Sequence, residues 1–272
     1  MNSLRLMAVF AHPDDEAFGV GGTLTKYAAE GCDVHLVTAT RGEAGEIAEP
    51  DMANKANLPD VREEELRCAC RTYGINPPRF LDYLDGQLTI VHQGQAVGKL
   101  VRILREFRPQ VVLTFGPDGI YGHYDHIAVH RWTTIAVKLA ADRSCFPNQV
   151  TDTCTTHQVS KLYYTVLPKD LADVWTADNP LAGVMMDGVP FPFVGWRRED
   201  ITTLIDVSPY AEIKLAGLRC HLTQVGRNGP FADDSSGAIR ETMVHTESFV
   251  LAHSTVPRQA AVENDLFAGL RQ

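Results

Sequence analysis

Two short segments of the chain combine histidine with aspartate at spacings that suit a metal ion. The first, HPDDE at 12–16, places His12 and Asp15 three residues apart in a turn. The second, YGHYDH at 121–126, ends with His126. Two histidines and one carboxylate leave a fourth coordination position open, as in catalytic zinc sites. His12, Asp15 and His126 are therefore the predicted ligands of one metal ion, zinc, with iron(II) as the alternative.

The other polar groups of these segments fit the remaining tasks of a hydrolytic site. Asp14 would point away from the metal and could accept a proton from an attacking water. His123, three residues before His126, could reach a substrate oxygen, and Asp125 could hold the His123 ring in position. Each segment alone would also fit a turn or a helix start, but their joint presence favours a catalytic site.

Both segments follow strands of a predicted parallel sheet. Over the first 140 residues, short apolar runs alternate with amphipathic stretches, which indicates βαβ units. Strands are predicted at 4–11, 33–39, 80–84 and 110–115, and helices at 22–30, 60–74, 94–107 and 124–141. Ligands of open parallel sheets bind outside the carboxyl ends of the strands, so the two segments are expected to meet there. The predicted fold is α/β and Rossmann-like, with a mostly parallel twisted sheet and helices on both faces.

The second half of the chain has a less regular pattern of apolar and polar residues. The polar stretch 142–160 predicts an insertion or loop, and the Pro- and Gly-rich stretch 176–195 predicts either a binding lid or a packed surface flap. Strands are predicted at 161–167 and 201–207, and a helix at 209–225. We found no Ser/Gly linker, so we predict a single domain over 1–272. Its core is 1–141, and its variable, loop-rich part 142–272 caps the site.

The composition excludes several classes of function. The 272 residues include 25 Lys and Arg against 34 Asp and Glu, a net charge of −9, which argues against a nucleic-acid partner. Apolar runs fall short of the roughly 20 residues of a membrane span, and the N-terminal run is too short for a signal peptide. The six cysteines lack a metal-binding spacing. We expect reduced thiols in a cytoplasmic protein, with a Cys145–Cys154 pair as the alternative.

Several motifs together resemble one enzyme family. AHPDDE at 11–16, RGEAGE at 41–46, REEEL at 62–66 and GHYDH at 122–126 look like the motifs of PIG-L/LmbE-like deacetylases. KLAGLRCHLTQV at 214–225 is similar to the late helix of that family, with its His-x-x-Gln element. Tyr124 stands where the family usually has proline. The resemblance implies a zinc enzyme that hydrolyses the N-acetyl group of an N-acetylglucosamine derivative.

The resemblance also implies roles for individual residues. By position it assigns His12, Asp15 and His126 to zinc and the role of general base to Asp14. His123 is assigned to the oxyanion, which its protonated ring would contact. Arg41 and Asp85 match positions that hold the sugar hydroxyls or the sugar's substituent. Tyr121 matches a tyrosine that some members place near the reacting carbonyl.

The sequence leaves the substrate and two rival functions open. Bacterial members of the family act on thiol-cofactor precursors, chitin disaccharides or antibiotic sugars, and some relatives cleave a larger N-acyl group. The expected partner is a small amino sugar, and a homo-oligomer remains open. The rivals are a non-catalytic sugar- or nucleotide-binding module and a metallophosphoesterase, a class that generally uses two metal ions. Metal content separates them, since one zinc ion per chain favours the deacetylase.

Overall fold

A mixed sheet of seven strands lies at the centre of the described structure. The computed structural model describes residues 3–176, 183–186, 188–229, 231 and 243–271. The strand order is β3-β2-β1-β4-β5-β9-β8, in which β1 to β5 pair in parallel and β9 runs antiparallel to β5 and β8. The strands are β1 (Arg5–Phe10), β2 (Asp33–Thr38), β3 (Arg79–Phe80), β4 (Val111–Phe115), β5 (Lys161–Thr165), β6 (Gly183–Met186), β7 (Val189–Pro192), β8 (Thr203–Asp206) and β9 (Thr246–Ser254).

The adjacent strands β1 and β4 form the middle of this sheet. Residues 6–10 of β1 and 111–113 of β4 are fully buried, and such continuous apolar runs are typical of parallel strands covered on both faces. From β1 the chain first adds β2 and β3 on one side and then β4 and β5 on the other. The direction of winding therefore reverses between β1 and β4, and the crevice at such a point is where doubly wound sheets bind ligands.

The helices of the described residues form two packed groups. α4 packs on α6, while α8 packs on α2 and α3, in keeping with the predicted helices on both faces of the sheet. Within the described residues, no helix is long and apolar enough to cross a membrane. The helices are α1 (Asp15–Gly19), α2 (Gly21–Ala29), α3 (Leu58–Tyr73), α4 (Gln93–Phe107), α5 (Gly119–Gly122), α6 (Tyr124–Leu139), α7 (Lys169–Trp175), α8 (Ala211–Arg219) and α9 (Leu222–Val225).

The predicted elements of the first half match the structure closely, whereas the second half needs three corrections. Part of the predicted loop 176–195 is a hairpin of β6 and β7, although 177–182 and 187 lie outside the described residues. The predicted helix 209–225 is broken between α8 and α9, because His221 leaves helical geometry (φ −86°, ψ 52°). Strand β9, which lies between β5 and the edge strand β8, was missed by the sequence analysis. Its pairing partners β5 and β8 lie far from it in sequence, and such pairing leaves little local signal.

The cysteine prediction was wrong for one pair. Cys68 in α3 and Cys220 after α8 form a disulfide across 152 residues, with their Cα atoms 5.8 Å apart. Packing of α3 on α8 brings these two thiols together, and no local spacing could have indicated it. Cys145 and Cys154, the pair considered from the sequence, are both free thiols.

Candidate metal centre and active site

The three predicted metal ligands come together where β1 and β4 end. Nε2 of His126 lies 3.3 Å from Nδ1 of His12 and 3.2 Å from Oδ1 of Asp15. Nδ1 of His12 lies 3.5 Å from Oδ2 of Asp15. Donor atoms at about 2.0–2.2 Å from a tetrahedral zinc ion are about 3.3–3.6 Å from one another. The two distances to Asp15 involve different oxygens of its carboxylate, and together the three side chains lie close enough to share one zinc ion.

The outer nitrogen of each histidine in this set faces an acceptor. Nε2 of His12 lies 2.9 Å from Oδ1 of Asp85 and 3.3 Å from Oδ2 of Asp125. Nδ1 of His126 lies 3.2 Å from the carbonyl oxygen of Gly119. When the outer N–H donates to such an acceptor, the lone pair of the other ring nitrogen is directed at the metal position. This tautomer arrangement also fits a metal site.

The carboxylates of Asp125 and Asp85 both face His12, a contact that the sequence did not indicate. Asp125 was expected to hold the His123 ring, but its carboxylate accepts the backbone N–H groups of Gly86 at 2.7 Å and Leu88 at 3.0 Å and faces His12. The carboxylate of Asp85 also faces His12, and its contact with a sugar stays a prediction. The difference arises because the turn after β3 folds back over the end of β1, a long-range contact that local spacing does not reveal.

The neighbouring Asp14 and Asp15 take different backbone conformations and different partners. Oδ2 of Asp15 accepts the backbone N–H groups of Ala11 at 3.1 Å and His12 at 2.7 Å. Asp14 adopts φ 106° and ψ −27°, a left-handed conformation that is uncommon for residues other than glycine. Its Oδ2 lies 3.1 Å from a guanidinium nitrogen of Arg62. One aspartate thus faces the histidines and the other faces a buried cation.

The electrostatic surroundings of Asp14 suit a group that exchanges protons. Burial raises the pKa of Asp14 to about 6, although the charge of Arg62 acts in the opposite direction. A pKa near the working pH is the most effective for a general base that must later return its proton. A metal cation beside this carboxylate would add a further lowering effect.

Arg62 is the functional residue that the sequence analysis missed. Its side chain is almost fully buried and donates to the carbonyl oxygens of Pro13 and Gly42 as well as to Asp14. The Cβ of any other residue at Gly42, where φ is +72°, would lie 2.1 Å from the guanidinium of Arg62. Arg62 therefore ties the RGEAGE loop to the aspartate turn.

A sequence signal for Arg62 existed. It stands four residues after Leu58 and four before Leu66, and all three belong to the buried face of α3. A charged residue inside the apolar stripe of an amphipathic helix must find buried partners, because an unpaired buried charge is costly. The motif REEEL contains this arginine, and its place on the buried face of α3 is the signal.

His123 belongs to the same cluster and has a defined tautomer. One of its ring nitrogens lies within 4.8 Å of a ring nitrogen of His12 and of one of His126. Nδ1 of His123 accepts the backbone N–H of Asp125 at 3.1 Å and caps α6, so Nε2 carries the proton available for a substrate. Burial, with the nearby His126 and His12, lowers the pKa of His123 to about 4. These surroundings favour a neutral ring, whereas a protonated ring was expected.

Tyr121 lies beside these histidines, and the residues directly after the β6–β7 hairpin pack against it. Its ring makes edge-on contacts with the rings of His123, His126 and Phe193. The backbone N–H of Val194 donates to the carbonyl oxygen of Ile120 at 2.8 Å. Burial raises the pKa of Tyr121, so its phenol keeps the proton and can donate a hydrogen bond. Part of the expected lid region therefore contacts the site.

Arg41 is held among acidic groups near the same loop. Its guanidinium lies 2.6 Å from Oε2 of Glu63 and 2.9 Å from Oδ1 of Asp82, and it packs over the ring of Phe80. One third of its side chain is exposed. Tyr124, the departure from the family motif, has more than half of its side chain exposed and occupies the first position of α6. A proline is also favoured there, so the departure leaves the ligand set intact.

Comparison with known proteins gives the same family as the motifs. The family model for GlcNAc-PI de-N-acetylases, PIG-L, matches residues 7–137. The 1D-myo-inositol 2-acetamido-2-deoxy-alpha-D-glucopyranoside deacetylase of Streptomyces griseus is 38% identical, over 98% of this chain and 89% of that protein. The enzyme of the same name from Thermobifida fusca is 37% identical, over 98% of this chain and 100% of that protein.

Solved structures show the same fold at low sequence identity. The N,N'-diacetylchitobiose deacetylase from Pyrococcus horikoshii superposes with a TM-score of 0.68 at 18% identity and covers 92% of this chain and 84% of that one. The 4-carboxy-2-hydroxymuconate hydratase from Pseudomonas putida KT2440 gives 0.65 at 18% identity, with 94% and 99% covered. A fold that carries both reactions does not select between them. The similarity to the two deacetylases over almost the whole chain does select between the two reactions. This protein belongs to the PIG-L family of metal-dependent GlcNAc-PI de-N-acetylases and is a deacetylase.

Proposed function

We propose that this enzyme removes the acetyl group from an inositol-linked N-acetylglucosamine, with one zinc ion held by His12, Asp15 and His126. The similarity to two deacetylases named for 1D-myo-inositol 2-acetamido-2-deoxy-alpha-D-glucopyranoside supports the substrate. The single observation that carries the chemistry is the cluster of two imidazole nitrogens and the Asp15 carboxylate, whose closest donor atoms lie 3.2–3.5 Å apart in pairs, beside Asp14. The products are acetate and the free amino sugar.

Each polar group around this set has a task in amide hydrolysis. Bound zinc would supply Lewis-acid polarisation of the acetyl carbonyl and a water of lowered pKa. Asp14 takes the proton of the attacking water and delivers it to the leaving amine. The Nε2–H of His123 and the phenol of Tyr121 donate hydrogen bonds to the oxygen on which negative charge develops. Asp85 and Asp125 orient His12, and Arg41 contributes to binding of the sugar.

The neutral state of His123 is compatible with this task. A neutral ring whose Nδ1 accepts from the helix start presents a fixed Nε2–H donor, so no reorientation is needed as charge develops. The Asp14 carboxylate is pre-oriented as well, because Arg62 holds both its Oδ2 and the preceding carbonyl. Arg62 therefore supports the reaction without being required to contact the substrate.

Two aspartate variants test these assignments. Asp14→Asn should keep its zinc ion and lower kcat by about 10²–10⁴-fold, because the amide cannot accept a proton. Asp15→Asn should lose zinc together with activity, because a charged ligand is replaced by a neutral one. Zinc content and kcat measured on both purified variants decide the matter. Loss of zinc from Asp14→Asn with retention in Asp15→Asn would reverse the two roles.

Acetate release tests the substrate. The inositol conjugate should be deacetylated with a higher kcat/KM than N,N'-diacetylchitobiose or free N-acetylglucosamine under identical zinc loading. Equal values for all three would remove inositol recognition from the proposal, and turnover without acetate release would indicate cleavage of a different bond. One zinc ion per chain is expected, whereas two would favour a metallophosphoesterase.

The cytoplasmic location remains a prediction, and the Cys68–Cys220 disulfide offers a test of it. Cytoplasmic proteins usually keep their thiols reduced. Alkylation in freshly lysed cells, followed by mass measurement of the two cysteines, should find them unoxidised if the enzyme is cytoplasmic. An oxidised pair at that point would favour a more oxidising compartment.

A further inference from the structure

The strained backbone of Asp14 needs a support outside its own turn. With φ 106° and ψ −27°, this residue holds a conformation that persists only when its surroundings enforce it. Its backbone N–H donates to Oε2 of Glu16 at 3.1 Å. The conformation of the proton acceptor thus depends on where the Glu16 carboxylate is held.

Glu16 is held by a histidine from the far end of the chain. The other oxygen of its carboxylate, Oε1, lies 2.7 Å from Nε2 of His221, and both side chains are fully buried. Nδ1 of His221 has no hydrogen-bond partner among the described residues. The contact with Glu16 is therefore the polar interaction that accounts for burying this imidazole, since buried polar groups are normally paired.

The segment that carries His221 is anchored on both sides. Cys220 is joined to Cys68 of α3. The backbone N–H and the hydroxyl of Thr223 each donate to the buried carboxylate of Glu65, also in α3, at 2.7 Å. The break between α8 and α9 thus fixes His221 on a rigid support, which is what a group that positions another group requires.

We propose that His221 is a positioning residue that acts through Glu16 to hold Asp14 in its productive conformation. The inference rests on the proposed role of Asp14 as the proton acceptor. It gives a task to the histidine of the His-x-x-Gln element, which the sequence analysis singled out but left without one. The metal set is held differently, because the Asp15 carboxylate accepts from the Ala11 and His12 backbone. Loss of His221 should therefore impair proton transfer and spare zinc binding.

Three substitutions at position 221 separate positioning from simple packing. In His221→Gln the longer amide reaches the place of Nε2 and can still donate to Glu16, whereas His221→Asn is too short and His221→Leu has no donor. We expect the glutamine variant to stay within about threefold of the wild-type kcat. The other two should lose about 10–100-fold in kcat, because a misplacement of about 1 Å can cost a hundredfold. KM and the zinc content of about one per chain should change little.

A matched control and a second background complete the test. His157→Gln removes another buried imidazole, one whose Nε2 contacts the carbonyl oxygen of Pro109 at 2.7 Å, and should leave kcat unchanged. In an Asp14→Asn background, His221→Leu or His221→Asn should cost less than about a further twofold, because the group being positioned no longer transfers protons. The asparagine variant serves if the leucine variant does not fold.

The Asp14 amide gives a readout that does not depend on turnover. In a ¹H–¹⁵N spectrum its resonance should shift, and its hydrogen exchange should accelerate, in His221→Asn but not in His157→Gln. An unchanged kcat in His221→Asn, an equal fold loss in both backgrounds, or loss of zinc with activity would overturn the inference. If Asp14→Asn alone keeps wild-type kcat, the proposed function fails instead, and the amide resonance still reports whether His221 holds this turn.

Discussion

The two halves of this enzyme contribute to the site in different ways. The first half supplies the groups proposed to do chemistry, and it places them in the segment that follows β1 and in the α5–α6 segment that follows β4. The second half supplies supports, among them His221, which holds the aspartate turn, and the 193–196 segment that packs beside Tyr121. The chemical groups sit next to a strand end in sequence, whereas the supports reach the site across as many as 205 residues.

This difference indicates which changes should abolish activity and which should only weaken it. A metal ligand or proton acceptor has no substitute, so its loss removes a reaction step. A support shares its work with neighbouring hydrogen bonds, so its loss shifts a geometry. Variants chosen from both halves, each beside a matched control, can test whether the division holds.

The largest effect is expected at a metal ligand of the first half. His126→Ala should lower zinc occupancy sharply at sub-micromolar free zinc and reduce kcat/KM by more than about a thousandfold. His130→Ala, one turn further along α6, removes an imidazole that contacts the carbonyl oxygen of Phe115 and should keep its zinc ion. Metal analysis and acetate release measure both. Full zinc retention in His126→Ala would remove this residue from the ligand set.

A smaller loss is expected for Arg62, the support that belongs to the first half. In Arg62→Lys one ammonium replaces a guanidinium that reaches Pro13, Gly42 and Asp14, and it cannot span all three oxygens. We expect kcat to fall by about 10–100-fold and the free energy of unfolding by about 1–3 kcal/mol.

The control for Arg62 is a partly exposed arginine on the same helix. Arg67→Lys changes a side chain that is one third exposed and pairs with Glu63, so kcat and stability should stay near wild type. Urea titration and steady-state kinetics measure both variants. Equal behaviour of the two would mean that burial of Arg62 has no bearing on the site.

The 193–196 segment should affect recognition more than rate. Phe193→Ala removes the ring that packs against Tyr121 and Trp175. An aromatic contact of this kind contributes about 0.5–1.5 kcal/mol, so KM for the inositol conjugate should rise by about three- to tenfold with little change in kcat. Met185→Ala, at an exposed position of β6, should leave both constants unchanged. A fall in kcat alone would instead mean that Phe193 acts on the rate through Tyr121 and not on recognition of the substrate.

The smallest effect on activity is expected for the disulfide. Cys68→Ser should lower the free energy of unfolding by about 2–4 kcal/mol under oxidising conditions, while kcat stays within about twofold. Cys145→Ser changes a free thiol and should leave stability unchanged. Denaturant titrations with and without reductant measure the difference. A large loss of kcat in Cys68→Ser would show that the covalent link, and not the hydrogen bonds of Thr223, keeps His221 in place.

Much of the fold's first half could be predicted because its signals are local. Apolar runs in β1, β2 and β4 and the periodic pattern of α3 and α4 placed these elements within a few residues of their observed bounds. The break at His221 and the strand β9 could not be predicted. The helix break lets the side chain of His221 reach Glu16, and no local pattern of residues marks such a break. The strand β9 pairs with β5, which is distant in sequence, so it also leaves little local signal.

By itself the sequence determined which segments meet at the carboxyl edge of the sheet, because a segment that follows a parallel strand starts at that edge. His12, Asp15 and His126 could be found in this way. Only the tertiary structure decided which groups the remaining acidic and basic side chains contact. Asp85 and Asp125 both turn to His12, and Arg62 reaches the aspartate turn. The partner of a side chain depends on how distant elements pack together, and the spacing of residues along the chain does not predict that packing.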